Sequence, residues 1–158
     1  MIALGFALAV CACGAGGGSP APQDSSDGIT GRVRVAGSTP FEQVLIEPDA
    51  ASDAVEVRGE YRDELRHLSG ATVRATGSYS GEHRFEVSGY EILQIAGQEP
   101  FVGVLDLREG DLLVRSVDGE VKQIHSPSAE LVALAGAKVW VILDSNGAMK
   151  GYGVIRER

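Results

Sequence analysis

An internal repeat constrains the fold of this chain more than any other feature of its sequence. The segment ELRHLSGATV (64–73) returns as ELVALAGAKV (130–139), with Glu, Leu, Leu, Gly, Ala and Val in common at an offset of 66 residues. A repeat at this spacing indicates that one supersecondary unit is used twice. The chain has 158 residues, which is enough for one ordinary domain or two very small ones.

Weaker matches on either side of this pair extend the repeat. TGRVRV (30–35) resembles VGVLDL (102–107), and GYEIL (89–93) resembles GYGVI (151–155). The offsets are 72, 66 and 62 residues in chain order, which indicates shorter loops in the second copy. The short Gly/Pro linker AGQEP separates the copies. The predicted domains are residues 29–96 and 99–158.

Each copy has the pattern of three strands, a short helix and two more strands. In the first copy, ITGRVRV (29–35) alternates apolar and polar residues, which is typical of a half-buried strand. Leu65 and Leu68 stand one helical turn apart, and Gly70 suits the left-handed residue that ends a helix. Gly89 is predicted to mark a bulge in the fifth strand. The predicted strands are 29–35, 43–48, 54–59, 71–76 and 83–93.

The second copy has the same order with tighter turns. Asp118-Gly119 and Asn146-Gly147 are strong signals for two-residue hairpins. Ser126 and Pro127 are typical of an N-cap and a first helical residue. The predicted strands are 101–107, 111–116, 120–125, 137–143 and 148–157.

This order of elements resembles the OB-fold, a small Greek-key barrel. The resemblance is to the whole architecture, with helix-to-strand junctions of the form LxxLxGAxV in both copies. The implied fold class is mainly β, with two small OB-fold-like barrels that each carry one short helix between strands 3 and 4. A single continuous β-sandwich with two helices is the structural alternative.

The amino-terminal residues have the pattern of a secretion signal. MIALGFALAVCAC (1–13) is apolar throughout and shorter than the roughly 20 residues of a membrane-spanning helix. Its end, VCAC, resembles the lipobox of bacterial lipoproteins, in which the cysteine is acylated. The resemblance implies lipidation of Cys13, with Cys11 as a second candidate. No Lys or Arg precedes Arg32, so a cleaved secretory signal and a cytosolic tail remain alternatives.

The next segment has the composition of a tether. Residues 14–28, GAGGGSPAPQDSSDG, contain nothing apolar that is larger than Ala or Pro. Such a segment cannot bury a core, and we expect it to be flexible. A lipid on Cys13 would then hold the folded part at a bacterial membrane, on the periplasmic or outer side.

Charge and cysteine usage exclude several classes of function. The chain has 14 Lys and Arg against 22 Asp and Glu, a net charge of −8 that repels nucleic-acid phosphates. Both cysteines lie within the first thirteen residues. A disulfide framework, a catalytic thiol and a cysteine metal site are therefore excluded from the predicted domains.

Histidines and carboxylates give no catalytic or metal-binding pattern. His67, His83 and His125 lack the spacing of metal ligands. Asp63-Glu64 falls at a helix start, where acidic residues act as caps or helix-dipole partners. We expect no metal, no cofactor and no enzymatic activity. A hydrolase without a recognisable motif remains a third hypothesis.

Trp140 is the best candidate for a residue that contacts a ligand. In strand 137–143 the inward positions begin at Ala137, so Trp140 faces outward, where the first copy has Arg74. Its partner is either the neighbouring barrel or a ring-shaped ligand such as a sugar. Tyr79 and Tyr152 are candidates for the same kind of surface.

These observations favour a non-catalytic binding or scaffolding module of the cell envelope. Its partner would be another envelope protein, reached through sheet edges or the groove between the barrels. The alternative is a module that binds glycan or cell-wall fragments through Trp140, Tyr152 and Tyr79. The fold class alone does not decide between them.

Overall fold

The computed structural model of the protein describes residues 27–48 and 53–158. The signal segment and both cysteines, Cys11 and Cys13, lie outside the described residues, as does all but the end of the tether. The strands are β1 (Asp27–Ala36), β2 (Gln43–Pro48), β3 (Val55–Arg58), β4 (Thr72–Gly81), β5 (Arg84–Gln94), β6 (Phe101–Arg108), β7 (Asp111–Arg115), β8 (Val121–Ile124), β9 (Lys138–Leu143) and β10 (Met149–Arg156), and the helices are α1 (Arg62–Arg66) and α2 (Ala129–Ala133).

The strands form two five-stranded sheets, one from each half of the chain. The first has the order β1-β2-β3-β5-β4, and the second has the order β10-β9-β6-β7-β8. Each half carries its short helix between its third and fourth strands. The mainly β class and the position of the helices are therefore confirmed.

Strand pairing closes into a ring in the first half only. There β4 pairs with β1, and β3 pairs in parallel with β5 from Glu56↔Arg84 to Arg58↔Glu86. These β5 residues lie near the tip of a long hairpin whose strands have 10 and 11 residues.

The corresponding hairpin of the second half is too short to make this closure. Strands β9 and β10 have 6 and 8 residues. Among the described residues β10 does not pair with β8. The β9–β10 turn lies beside the residue that follows β8, because a Cβ added to Gly147 in this turn would be 3.2 Å from the His125 ring. The second sheet stays open, in contrast to the predicted second barrel. The repeat offset falls from 66 to 62 across this hairpin, so the hairpin is four residues shorter than its counterpart in the first half.

The repeat is visible in equivalent backbone hydrogen bonds. In the first half, the Gly70 N–H donates to the Val33 carbonyl and the Val33 N–H donates to the Ala71 carbonyl. In the second half, Gly136, Leu105 and Ala137 make the same two bonds. Gly70 has a φ of 89° and Gly136 a φ of 95°, as predicted for a left-handed residue after each helix.

Two glycines allow the first strand of each half to cross its neighbour closely. A Cβ added to Gly31 would lie 2.4 Å from the Glu47 carbonyl oxygen. At the equivalent position of the second half, a Cβ added to Gly103 would lie 2.3 Å from the Arg115 carbonyl oxygen. Neither contact is tolerable, so both strands need glycine for this approach.

The apolar side chains form two clusters, but they do not divide strictly between the halves. The first is built on β1–β5 and includes the fully buried Phe85. Ile155, from β10, is 1% exposed and belongs to this first cluster, against which Val102 and Trp140 also pack. The register shift between Val154 and Arg156 is the bulge that turns Ile155 toward the first half. The second cluster comes from β6–β9 and α2, including Leu105 and Leu131.

Local turn chemistry is partly as predicted. The β4–β5 register shifts beside Gly89, which confirms the bulge. The N-cap of α2 is Ser128, whose hydroxyl accepts from the Leu131 N–H, so the prediction of Ser126 is wrong. Ser126 has a φ of 54°, outside the extended backbone of an N-cap residue. The prediction of two-residue hairpins at Asp118-Gly119 and Asn146-Gly147 is wrong, because five residues connect β7 to β8 and five connect β9 to β10.

Substitution of the two close-approach glycines tests the equivalence of the halves. We expect Gly31→Ala and Gly103→Ala each to lower the free energy of unfolding by about 1–3 kcal/mol, because neighbouring backbone must move. Urea unfolding measures both. Gly81→Ala is the control, because a Cβ there meets nothing within 4 Å, and it is expected to change stability by less than about 0.5 kcal/mol. Equal stability of all three variants would contradict the close approach.

Candidate functional site

A buried carboxylate lies where the two halves meet. Glu64 is 5% exposed and is the one buried charged residue among those described. It is held there by α1, whose neighbouring Leu65 and Leu68 are buried in the first apolar cluster. Burial of a charged group is costly unless it is paired and hydrogen-bonded.

Three side chains donate to this carboxylate. The Lys138 ammonium lies 2.6 Å from Oε2, and an Arg156 Nη1 lies 2.8 Å from Oε1. The Tyr90 hydroxyl donates to Oε2 and accepts from Lys138 at 3.2 Å. Glu64 and Tyr90 belong to the first half, while Lys138 and Arg156 belong to the second. We call these four residues the Glu64 cluster.

The cluster holds Glu64 in its charged form. Burial raises the pKa of Glu64, but the hydrogen bonds from Lys138 and Tyr90 and the charges of Lys138 and Arg156 together outweigh burial and lower it below its usual value. Burial, followed by the hydrogen bond and charge of Glu64, raises the pKa of Tyr90. The stable arrangement is therefore a carboxylate with a protonated phenol.

This arrangement is suited to fastening the halves rather than to proton transfer. Both oxygens of Glu64 are already engaged. A phenol with a raised pKa stays protonated and so offers no base to a substrate, and a carboxylate with a lowered pKa is a poor general acid. The cluster therefore works as a latch across the two sheets.

Sequence reasoning missed the latch, although the repeat contains a signal for it. Lys138 and Arg156 are cross-strand partners, and at the repeat offsets their first-half equivalents are Thr72 and Gln94, also cross-strand partners. The second half thus carries two cations where the first half has neutral residues. Glu64 was predicted only to act as a cap or helix-dipole partner at a helix start; it does lie in the first turn of α1, but the second half covers it and engages its carboxylate.

Trp140 lies between the halves. Its indole packs across Gly153 on β10, its cross-strand partner. A Cβ added to Gly153 would lie only 2.5 Å from the indole Nε1, so glycine is needed at this position. It is partly buried and packs against the first apolar cluster. In the first half the equivalent cross-strand pair is Arg74–Glu91, a surface ion pair of 3.2 Å. Of the two partners considered for Trp140, the neighbouring half is the one in contact with it.

The other two candidate aromatic residues pack against different parts of the protein from Trp140. Tyr152 is partly buried and packs against the second apolar cluster. Tyr79, on the β4–β5 hairpin, is 49% exposed and stands edge-on to Phe85 with ring centroids 5.0 Å apart. The three predicted ligand-contacting residues therefore do not form one surface.

A cleft opens between the halves beside the Glu64 cluster. It has a volume of about 350 Å³, with Tyr90 and Lys138 in its wall. Its apolar lining comes from Ile92, Val102 and Val117. Its carboxylates are Glu91 from β5, Glu99 from the linker, and Asp118 and Glu120 from the β7–β8 turn.

The open second sheet has two edge strands, β8 and β10, and among the described residues each pairs with a single neighbouring strand. Strand β8 pairs with β7, and no second strand pairs with it among the described residues. The Ser116 N–H donates to the Glu120 carbonyl, so Ser116 and Glu120 form a hydrogen-bonded pair of the β7–β8 ladder. Such pairs alternate along an antiparallel ladder, so the backbone N–H and C=O groups of Val121 and Gln123 point away from β7. Both residues are exposed.

Exposed valines lie beside this edge. Val104, Arg115 and Val121 are cross-strand neighbours on the outer face of the second sheet, and the two valines are 43% and 41% exposed. Val117, in the turn before β8, is 98% exposed. Of the six large hydrophobic residues that are exposed in the described ranges, four lie in the second half: Val104, Leu107, Val117 and Val121. This surface, together with the β8 backbone, is called the β8 edge.

No metal centre or membrane span is found in the part of the chain that the structure describes. His67, His83 and His125 do not join Asp, Glu or other His side chains in a group of three that could hold a metal ion. No helix within residues 27–48 and 53–158 is long and apolar enough to cross a bilayer.

Comparison of the chain with protein-family models, with curated proteins and with solved structures finds no match.

Neutralising the buried carboxylate tests the latch. At pH 7 we expect Glu64→Gln to lower the free energy of unfolding by about 2 kcal/mol, because two cations lose their partner. The pKa of Glu64 is lowered on folding, so its contribution is fully present above the unfolded-state pKa, near 4.5, and is lost as the pH falls through the folded-state value. The difference between wild type and variant should shrink in acid.

Urea unfolding of both proteins between pH 7 and pH 3 measures this difference. Glu130→Gln is the matched control, because Glu130 occupies the equivalent repeat position and is exposed. It is expected to leave stability nearly unchanged at every pH. A stability difference for Glu64→Gln that is absent at pH 7, or that grows toward pH 3, would contradict the latch.

Proposed function

We propose that this protein is a non-catalytic binding module of the bacterial cell envelope that engages another protein through the β8 edge. The observation that carries the proposal is the outward-facing backbone of Val121 on the unpaired side of β8, with the exposed side chains of Val121 and Val117 beside it. Unprotected edge strands pair readily with a further strand, and exposed apolar patches mark interaction sites. Addition of a partner strand uses both features.

The latch supports this proposal because it holds the sheet that carries β8 in a fixed position against the first half. The Glu64 cluster, Ile155 and Trp140 connect the second half to the first across several points. An edge strand on a firmly held sheet loses less conformational entropy on binding than one on a mobile segment.

We further propose that each half is an OB-fold-like unit, and that the protein is held at the membrane by a lipid on Cys13. The five strands with a helix between the third and fourth support the first statement. The apolar start and the VCAC segment support the second. A multiply acylated cysteine and a tether would place the β8 edge within reach of other envelope proteins.

Binding of a glycan is the alternative, and it depends mainly on Tyr79. This residue borders a depression of about 430 Å³ together with Thr30 and His83. Trp140 and Tyr152, the other two aromatic residues considered for this role, are partly buried and pack against the apolar clusters. A single half-exposed ring is a weak sugar platform, so strand addition at β8 is preferred.

Site-specific photo-cross-linking in the native host tests the proposal. A photoreactive residue at Gln123, on the β8 edge, is expected to capture one discrete protein, whereas the same residue at Phe41 is not. Phe41 is the matched control because it is 82% exposed in the first half. Val121→Pro should abolish the Gln123 cross-link by removing an outward N–H, and Val121→Ala should retain it.

The same cells test the proposed lipid anchor and membrane location. We expect a palmitate analogue to label the wild-type protein. In Cys13→Ala we expect the labelling, the recovery of the protein in the membrane fraction and the Gln123 cross-link all to be lost. A cross-link that persists in Val121→Pro would contradict strand addition. Labelling that survives both Cys13→Ala and Cys11→Ala, or never appears, would contradict the lipid anchor.

A further inference from the structure

One residue of β8 presents its backbone to a further strand. Among the described residues, the outward N–H and C=O groups of Val121 have no backbone partner. The outward carbonyl of Gln123 lies beside the β9–β10 turn, because a Cβ added to Gly147 would be 3.8 Å from it. On the other side of Val121, the Gly119 N–H already donates to the Ser116 carbonyl at 3.1 Å. A strand added to β8 therefore centres on Val121.

A second copy of β8 fits this edge in one symmetric register. In a two-fold contact each copy uses the same surface patch, so two β8 edges pair antiparallel. With the axis at Val121, the two valines exchange both backbone hydrogen bonds, as the hydrogen-bonded pairs of an antiparallel ladder do. An axis at Lys122 would need the backbone of Gln123 and would place two lysines directly opposite each other, which is unfavourable.

The charges on either side of Val121 are complementary in the register that the backbone selects. With Val121 opposite its own copy, Glu120 of each copy lies opposite Lys122 of the other. Opposite charges directly across an antiparallel ladder stabilise the pair. Both side chains are accessible, and they share one face of the strand, 3.6 Å apart. Lys122 is positioned on this face by the Phe101 ring, with its ammonium 4.3 Å from the ring centroid.

The other face of the strand is apolar at the same position. Val121 is 41% exposed and lies in a cross-strand row with Arg115 and Val104. In the symmetric pair, the two Val121 side chains lie opposite each other and cover apolar surface that each copy alone leaves exposed. Backbone, charge and apolar contact therefore agree on one register.

We propose that the strand added at the β8 edge comes from a second copy of this protein, paired antiparallel about Val121, with Glu120 of each copy opposite Lys122 of the other. This inference rests on the proposed function and names its partner. The ladder has a single hydrogen-bonded pair, so it buries less than the roughly 1,200 Å² of stable complexes. Copies held on one membrane by the lipid anchor meet at a higher effective concentration than copies in solution.

Cysteine pairs test this register in membranes of the native host. Residues of a non-hydrogen-bonded antiparallel pair have Cα atoms about 4.5 Å apart, which a disulfide can bridge. Two differently tagged full-length variants, Glu120→Cys and Lys122→Cys, are made in the same cells and oxidised with copper–phenanthroline. We expect a mixed disulfide between them, while the second Glu120–Lys122 pair of the dimer stays intact.

Each variant alone should give about fivefold less disulfide, because identical positions lie about 8 Å apart across the axis, too far for a disulfide. Wild-type protein gives the background from Cys11 and Cys13, which all variants share. Glu120→Cys made together with Gln123→Cys is the matched control, because these side chains lie on opposite faces of the sheet. No mixed disulfide in the test pair, or an equal yield in the control pair, would overturn the inference.

Charge reversal gives a second readout that needs no cysteine. Lys122→Glu places like charges opposite each other at two positions. It is expected to lower the Gln123 photo-cross-link to a second copy about fivefold, roughly what two exposed charge pairs supply. Adding Glu120→Lys to this variant exchanges the two charges and should restore the cross-link. Lys150→Glu, at an exposed position on β10, should leave it unchanged. No loss in Lys122→Glu, or no recovery in the double variant, would contradict the pairing.

The inference and the proposed function fail separately. A discrete Gln123 product that contains a different protein, without the mixed disulfide, would remove the second copy and leave strand addition by another envelope protein in place. The absence of both products would overturn strand addition at β8 itself. A Gln123 product that contains two copies of the chain, together with the mixed disulfide, is the result that the inference predicts.

Discussion

The pairing of one buried carboxylate with two cations from the other half determines how this protein is assembled. Each half lacks something that the other provides. The first half contributes Glu64, and the second half covers it and supplies Lys138 and Arg156 to neutralise it. Because an unpaired buried charge is costly, the two sheets are most stable when they are docked in this one arrangement. The apolar contacts of Ile155 and Trp140 follow the same geometry.

The two halves show how a repeat can change role at a few positions while its scaffold is kept. The glycine at each close approach and the left-handed glycine after each helix are the same in both halves. The differences are concentrated on the face that is exposed in the first half and covered in the second. There an Arg–Glu pair is replaced by Trp140 and Gly153, and two neutral residues are replaced by cations. The shortened β9–β10 hairpin leaves the second sheet open.

Much of the local structure could be predicted from the sequence because it depends on short-range patterns. Alternation of apolar residues predicts the strands, and glycine at the end of each helix predicts the left-handed turn. The repeat offsets predict shorter loops in the second half. They do not reveal which loop is shortened, so the loss of ring closure in that half was not foreseen. The N-cap of α2 was placed two residues early because Ser126 and Ser128 are equally suitable as residue types.

The docking of the halves could not be predicted from such patterns. Glu64 and Glu130 occupy equivalent positions and have similar neighbours in sequence, yet one is buried and the other is exposed. The difference comes from contacts between residues more than seventy positions apart, such as Glu64 with Lys138. Trp140 shows the same limit, because an outward-facing tryptophan is consistent with either a ligand or a neighbouring sheet. The cleft and its carboxylates exist only once the halves are docked.

The most direct test of this account is a double-mutant cycle between Glu64→Gln and Lys138→Met, followed by urea unfolding at pH 7. A cycle with Lys150→Met, an exposed cation on β10, serves as the reference. The account predicts a coupling energy of about 1 kcal/mol or more for Glu64 with Lys138, and less than about 0.5 kcal/mol for Glu64 with Lys150. Equal coupling in the two cycles would show that the halves are not held together by this carboxylate.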